Sequence, residues 1–527
     1  MDVEQSAGKF AAAGAAEQSK KHDDPLAEDR SIGHGENDLL GGEHVDEVLT
    51  AKMILINDTI DEIGFTPHHW KLFCLNGFGY AVDSLILLIQ SIISGQAQLE
   101  FQPGYSTGLT IAVYVGMLVG AIFWGFSADI VGRRFAFNVS LFISSIFTVV
   151  AGASPSWVTL GLFVCLSAFG AGGNLVLDTT VFLEYLPSRD QWLLTLMAAW
   201  WGLGQLIAGL FAWGFIPNYS CADADNCTRA NNQGWRYMWY TSGAFVFVLS
   251  ILRVTIIRLE ETPKFLLAEG KDEAAVRVLQ NIATKYKRPC SLTLAQLRAC
   301  GTTRARVTTA GLLQRFIPTK DIGSHLQGLF ATRKMGWSTT LVWFSWLLIG
   351  LAYPLYNVFL PTYLESRGAS FGESSPYITW RNYAINNTCS VPGPILAGFM
   401  CRSRWFWGRR GTMVIGALIT MVFFFCYTQV RTASQNLGFT CAISFCLNIY
   451  YGTLYAYTPE VFPSAHRGTG NGVAIGLNRI MGIVSAVVGN AANTKTPVPI
   501  FICAALYIVM AIVAAALPFE PYGRRSS

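Results

Sequence analysis

The stretch GFSADIVGRR, Gly125 to Arg134, has a near twin far downstream in GFMCRSRWFWGRR, Gly398 to Arg410. The opening glycines stand 273 positions apart, and Gly132 and Gly408, which precede the two arginine pairs, stand 276 apart. A second pair of stretches keeps that spacing: EYLPSR begins at Glu184 and EVFPSAHR at Glu460, again 276 positions on. Two different motifs sharing one offset imply a duplicated unit, so the chain reads as two homologous halves of similar length.

Composition says where those halves reside. Of 527 residues 52% are hydrophobic and only 13% charged, with a mean hydropathy of +0.37. Soluble domains carry about 25% charged residues, so this chain has too little polar surface to cover itself in water and belongs in a lipid bilayer. A net charge of +5 gives no footing for a nucleic-acid partner. A spanning helix needs about 20 apolar residues, and twelve segments qualify, near 71–94, 107–128, 134–153, 157–182, 192–215, 237–257, 337–360, 379–400, 412–430, 437–458, 469–491 and 498–518. The expected fold is therefore an all-α membrane protein of twelve transmembrane helices in two pseudo-symmetric six-helix halves, 70–257 and 336–518. A tail over 1–69, a linker over 258–335 and a short tail over 519–527 complete the division.

Lysine and arginine set the orientation. The loops after the second, fourth, eighth and tenth spans carry Arg133 and Arg134, Arg189, Arg402 with Arg404, Arg409 and Arg410, and Arg467, whereas Arg229, Arg367 and Arg431 are isolated on the other side. Both termini are thus expected in the cytoplasm. Asn218 and Asn226 head Asn-x-Ser/Thr sequons that then fall outside, as candidate glycosylation sites. Cys221 and Cys227 flank the polar loop CADADNC. Their spacing permits a small disulfide ring and equally two free thiols. The remaining cysteines show no metal-site spacing, and no metal or other cofactor is expected.

The first roughly 45 residues are polar and acidic, without the apolar core of a signal peptide. From Glu43 to Ile63, Val45, Val48, Leu49, Met53, Ile56 and Ile60 recur at helical spacing and predict a surface helix leading into the membrane. The linker from Arg258 to Lys334 holds 14 Lys or Arg against 6 Asp or Glu. Its first part suits one or two amphipathic helices on the inner face of the membrane, against acidic headgroups.

Charges inside the spans point to function, because an ionised side chain in hydrocarbon costs several kcal/mol unless it is paired or faces water. Asp83 lies some twelve residues into the first span, about 18 Å deep at the helical rise. Asp178 sits six residues before Glu184, about 9 Å from the end of the fourth span. Arg479 is the lone cation deep in the eleventh span, placed to bind an anionic substrate, balance a carboxylate or meet helix ends. Arg253, nearer a helix end, is expected to snorkel. Asn174, Gln205, Tyr353, Tyr356, Asn357, Asn386, Asn387, Asn448, Tyr450 and Tyr451 form a polar and aromatic set able to line a cavity or to bond between helices. Trp200, Trp201 and Trp213 read as packing or interface residues, and His68 and His69 as interface residues.

GFSADIVGRR resembles the loop signature of the major facilitator superfamily between its second and third helices, and the twelve-span layout is similar to that fold. Glu261-Thr262-Pro263-Lys264-Phe265-Leu266 looks like the motif after the sixth span in sugar porters and related metabolite-proton symporters. Pro459-Glu460-Val461-Phe462-Pro463 with Arg467-Gly468-Thr469-Gly470 resembles their motif after the tenth, and Glu184-Tyr185-Leu186-Pro187 its counterpart after the fourth. DTIDEIGFTPHHWKLFCLNGFGYAVDS, from Asp58 to Ser84, is similar to the synaptic-vesicle-two-related proteins and their fungal homologues. The sugar porters' glutamine-rich pattern is not evident in the seventh span, LIGLAYPLYNVFLPTYL.

The resemblance implies that the first and fourth helices line a central cavity, where Asp83 and Asp178 would carry protons. It also implies an inward gate built from Gly125, Asp129, Gly132, Arg133, Arg134, Glu184, Arg189, Glu460 and Arg467, with Glu184 opposite Arg189 and Glu460 opposite Arg467. The second copy lacks the acid, carries Arg402 near its place and inserts about three residues before Gly408, so the halves are not equivalent. The expected function is secondary active transport of a small organic metabolite or ion, coupled to protons by alternating access, in a monomer of the plasma membrane or an internal membrane. The alternative is a non-transporting receptor or trafficking protein on the same fold. No nucleophile-base or metal constellation suggests an enzyme, and no Walker A loop suggests an ATP-driven pump.

Overall fold

The structure, a computed structural model, describes residues 47–130, 132–222, 224–256, 260–301, 326–368, 375–463, 466–491 and 498–521, with the side chains of Asp129 and Asn357 outside that description. Among the described residues every regular element is helical. Ten helices are long and apolar enough to cross a membrane. They are the first span, Pro67–Phe101; the second, Gly108–Ile130; the third, Arg133–Gly152; the fourth, Trp157–Tyr185; the fifth, Trp192–Tyr219; the sixth, Gly234–Ile256; the seventh, Arg333–Gly368; the ninth, Gly408–Tyr427; the tenth, Ala433–Val461; and the eleventh, Arg467–Ala491. The shorter apolar helix Val498–Ala516 is the twelfth.

The eighth span differs from the single helix expected there. It is two pieces, Pro376–Cys389 and Pro392–Arg402, because Pro392 and Pro394 cannot donate to the preceding turn. The fifth span has a milder interruption. Trp192–Met197 and Ala199–Tyr219 meet at Ala198, whose N–H turns back to Thr195 at 3.2 Å, the tightened spacing of a 3-10 turn. The interruption of the eighth span lies against the fifth span one turn beyond Ala198: a Cβ on Gly202 would lie 2.9 Å from Ser390 Oγ and Val391 Cα.

Within the first half the fourth span packs between the second and third, and the sixth packs on the third. Within the second half the ninth packs on the tenth and twelfth, and the seventh on the eleventh and twelfth. The halves meet mainly where the second span crosses the eleventh and the fifth crosses the eighth. Lipid-facing side chains such as Val119, Phe142, Val248 and Ile512 are exposed apolar groups, consistent with a surface whose solvent is hydrocarbon.

On the side bearing the Gly-Arg loops, a lead helix, Glu47–Ile63, precedes the first span. It buries Met53, Ile56, Ile60 and Ile63, as its periodicity predicts. Its neighbours are the linker helices Pro263–Ala268 and Asp272–Tyr286, and a third linker helix, Leu294–Ala299, packs on the second of these. Lys52 is buried and reaches Asp272 at 2.5 Å. Thr66 then starts the first span with a capping box closed by His69, and His69 Nε2 meets the carbonyl oxygen of Tyr185 at 2.9 Å. His69 is therefore buried structure that ties the first span to the end of the fourth, rather than an interface residue.

Candidate functional site

Asp83 and Arg479 lie 396 positions apart in sequence and meet in the structure. Arg479 Nη2 donates to Asp83 Oδ2 at 2.8 Å, with the side chains 2% and 0% exposed. The pair joins the first span to the eleventh and so one half to the other. Tyr114, Tyr451 and Tyr455 lie within electrostatic reach of the guanidinium. Tyr451 and Tyr455 share a hydroxyl hydrogen bond of 3.2 Å, Trp201 and Trp346 lie against the same two rings, and Tyr80 stands edge-on to Tyr455. Tyr353 stacks on Tyr451 with centroids 5.6 Å apart and accepts from Gln205 Nε2 at 2.6 Å, a second polar link between halves.

This is a charged pair in an aromatic box, with Asp83 Oδ1, Arg479 Nε, Tyr80 Oη and Trp201 Nε1 buried and lacking a hydrogen-bond partner among the described residues. Aromatic walls with a few convergent polar groups are the usual lining of a small-molecule site. Sequence reasoning singled out Asp83, Arg479, Gln205, Tyr353 and Tyr451 but missed Tyr80, Tyr114, Trp346 and Tyr455, and it set Trp201 aside as packing. The tyrosines and tryptophans of an apolar chain give no local sign of which ones converge.

Asp178 does not join this box. Its Oδ1 accepts from Arg253 Nη2 at 2.9 Å, both side chains at 0% exposure. The same guanidinium donates to the carbonyls of Leu75 and Phe137, each at 3.0 Å, and lies 3.9 Å over the Phe137 ring. Asn174, which accepts from Ser140 at 2.8 Å, completes the cluster. Gly79 makes room for it, since a Cβ there would sit 1.6 Å from Asp178 Oδ2. Arg253 thus does not snorkel. It is the hub of a polar cluster that binds the first, third, fourth and sixth spans within one half.

The Gly-Arg loops are built alike in both copies. Gly132 and Gly408 have φ of +118° and +67°, a conformation that favours glycine. The next two residues begin a helix, and a carboxylate from beyond the last span of the same half accepts their N–H groups. Glu261 accepts from Arg133 N at 2.9 Å and Arg134 N at 3.3 Å; Glu520 accepts from Arg409 N at 3.1 Å and Arg410 N at 3.0 Å. Negative charge at a helix N-terminus complements its free N–H groups and dipole. Burial pushes the Glu261 carboxyl above its ordinary range, and Arg133 pulls it back. Glu520 was invisible in sequence because its flank, LPFEP, shares with LEETP only the leucine and proline at its ends and a glutamate at a shifted position.

The ion pairs differ from those expected. Arg133 is buried and reaches Glu184 at 3.3 Å, and Arg409 reaches Glu460 at 2.6 Å, so the first arginine of each pair turns inward. A helical side chain leans toward its own N-terminus, which carries these two to the ends of the fourth and tenth spans. Arg467 lies 3.7 Å from Glu184 across the halves and donates to the Pro459 and Phe462 carbonyls. Arg189 and Arg134 have exposed side chains. Asn471 donates to Thr179 at 2.8 Å, and a Cβ on Gly125 would lie 2.9 Å from Gly468 O and 3.0 Å from Gly472 Cα. The halves are therefore in tight contact on this side.

The other residues of the polar set are dispersed. Tyr356 packs edge-on to Phe424 within the second half. Asn448 donates to Ser444 of its own helix, Asn386 accepts from Ser444, and Asn387 is buried where Gly209 crosses the eighth span. Asn357 and Asp129 fall on side chains outside the description. At the far end, Cys221 and Cys227 are bridged with Cα atoms 5.6 Å apart, and Asn218 and Asn226 are exposed. Asn232 there donates to Gln96 O, close to where Glu100 holds Arg236 at 2.6 Å, which places this loop at the opposite end of the first span from His69.

Residues 72–486 match the model of the Major Facilitator Superfamily. The chain is 42% identical over 516 residues to the MFS siderochrome iron transporter 1 of Ceriporiopsis subvermispora, covering 97% of this chain and 98% of that protein. It is 24% identical to the rat (Rattus norvegicus) synaptic vesicle 2-related protein, over 90% of this chain and 82% of that one. In fold it is similar to the proton:xylose symporter XylE bound to a bromodeoxyglucose, with a TM-score of 0.62 at 17% identity, over 87% of this chain and 97% of that one. The chain is thus a multi-pass membrane transporter, not an enzyme, and it belongs to the Major Facilitator Superfamily.

Proposed function

We propose that this transporter carries a small organic anion together with a proton, and that the Asp83–Arg479 pair is where the two are coupled. The observation that carries the reading is an ion pair, buried in an aromatic box, that spans the two halves. While Asp83 is ionised, Arg479 is satisfied. A proton on Asp83 neutralises it and leaves a buried guanidinium without a counter-charge, an arrangement that costs several kcal/mol unless another anion takes the place. A substrate carboxylate or similar group supplies that charge, so proton and anion occupy the site together and leave it together. Gln205, Tyr353, Tyr451 and Trp201 would orient the remainder of the substrate.

The side bearing the arginine loops is read as cytoplasmic, because short loops rich in Lys and Arg stay inside. In that orientation the contacts of Arg467 with Glu184 and of Asn471 with Thr179 form the inner gate, which parts and re-forms during alternating access. The names of the relatives, an iron-siderochrome transporter and a proton:xylose symporter, agree with a proton-coupled carrier of an organic solute.

The test is uptake into proteoliposomes of a panel of labelled organic acids, with and without an inward acid gradient. Wild type is expected to accumulate at least one of them when the gradient is imposed. Asp83→Asn is expected to remain folded and lose gradient-driven accumulation. Undiminished accumulation by that variant would remove Asp83 from the coupling step.

A further inference from the structure

Two adjacent carboxylates near the end of the lead helix each hold a serine by its N–H and its hydroxyl. Asp61 accepts from Ser188 N at 2.7 Å and Ser188 Oγ at 2.8 Å, in the loop between the fourth and fifth spans. Glu62 accepts from Ser291 N at 3.0 Å and Ser291 Oγ at 2.7 Å, in the linker. The lead helix is thus a bracket. It fastens the linker to a loop that begins two residues after Glu184, the carboxylate shared by Arg133 and Arg467.

The two serines have different surroundings. Ser188 is half-buried and has no cation in the five residues before it. Ser291 is exposed in the segment 288–293, which carries no helix. Arg288 stands three residues before it, Lys287 four and Lys285 six, with Leu292 following. An accessible hydroxyl on a non-helical strand of chain with cations upstream is complementary to a kinase whose peptide groove is acidic. Arg288 also donates to the Phe65 carbonyl, at the start of the first span.

We propose that Ser291 is a phosphorylation site whose modification opens the bracket. The kinase transfers the γ-phosphoryl group of ATP to Ser291 Oγ. An Oγ–P bond forms, the bond from γ-phosphorus to the β–γ bridging oxygen breaks, ADP leaves with that electron pair, and the hydroxyl proton passes to the kinase's catalytic base. The product carries a charge of about −1.5 to −2 where Glu62 had accepted a hydrogen bond. Repulsion replaces attraction, and Arg288 turns from Phe65 O toward the phosphate. The lead helix loses its hold on the linker, while Asp61 keeps Ser188. For a cellular kinase to reach the site, the arginine-loop side must be cytoplasmic, as read above.

The test uses the purified full-length protein in nanodiscs, where both faces are open, so it does not depend on orientation or on transport. After treatment with ATP and a kinase selective for basic sequences, mass spectrometry should find phosphate on Ser291 in wild type and none at that position in Ser291→Ala. Amide exchange across 47–63 should accelerate on the order of tenfold, the effect of losing a hydrogen bond to a charged group. Glu62→Gln should show part of that acceleration without kinase. Absence of phosphate on Ser291, or phosphate there with exchange over 47–63 unchanged, overturns the proposal.

Discussion

Arg253 shows how a residue's role depends on what its helix faces. Its position near the end of an apolar span suggests a side chain reaching out to headgroups, yet it is buried against Asp178, two backbone carbonyls and a phenyl ring. Arg253→Met leaves the Asp178 carboxylate uncompensated in the interior, and the expected loss is about 3–5 kcal/mol, the range for breaking a buried ion pair. Thermal unfolding in detergent would read it. Pairing the change with Asp178→Asn should recover a large part of that loss, and a double variant no better than Arg253→Met alone would count against the ion pair as the cause. Asp83 and Arg479 were individually legible, since a charge stands out in a run of apolar residues. Their pairing was not, because it depends on how two halves 396 positions apart pack together.

The repeated loop was legible as an element but not as a mechanism. Both copies turn at the glycine before the two arginines and start a helix there, with positive φ at Gly132 and Gly408. The loop's own residues do not show that each start is capped from a distance, by Glu261 and Glu520. Replacing either carboxylate by glutamine sets an amide NH2 against one of the two helix-start N–H groups in place of an acceptor and should cost about 0.5–2 kcal/mol. Glu261 adds a pH signature. Burial raises its folded value above the ordinary 4.5, so between 4.5 and the raised value the folded protein holds a proton that the unfolded chain has released. Stability then falls as pH rises through that window. Glu261→Gln should flatten this part of the stability-versus-pH curve, and superimposable curves for variant and wild type would show that Glu261 does not produce the slope.

At the scale of the whole molecule, the two halves and their twelve spans were readable from one offset and one hydropathy profile. The conformation was not, because both ends of an alternating-access cycle have the same sequence. Here the halves touch on the arginine-loop side, where Gly125 meets Gly468 and Gly472 without a side chain between them. Gly125→Val overpacks that contact by an amount worth about 1–3 kcal/mol, which shifts the balance toward states open on this side by roughly 5- to 150-fold. The readout is the alkylation rate of a cysteine placed at Thr179, which is buried in the closed arrangement. An unchanged rate would mean that this contact does not hold the halves together.

The interruptions at Ala198 in the fifth span and at Ser390–Val391 in the eighth have a mechanical meaning. A long helix resists bending because each turn is bonded to the next, and a chain of intact spans can only tilt as rods. Where two spans that belong to opposite halves are both broken, and the break in the eighth lies against Gly202, one turn past the break in the fifth, the segments on either side acquire a common hinge region. The outer pieces, Ala199–Tyr219 and Pro376–Cys389, already packed on each other, can swing as one lever while Trp192–Met197 and Pro392–Arg402 stay seated on the arginine-loop side. The molecule then has a way to open at one end without first letting go at the other.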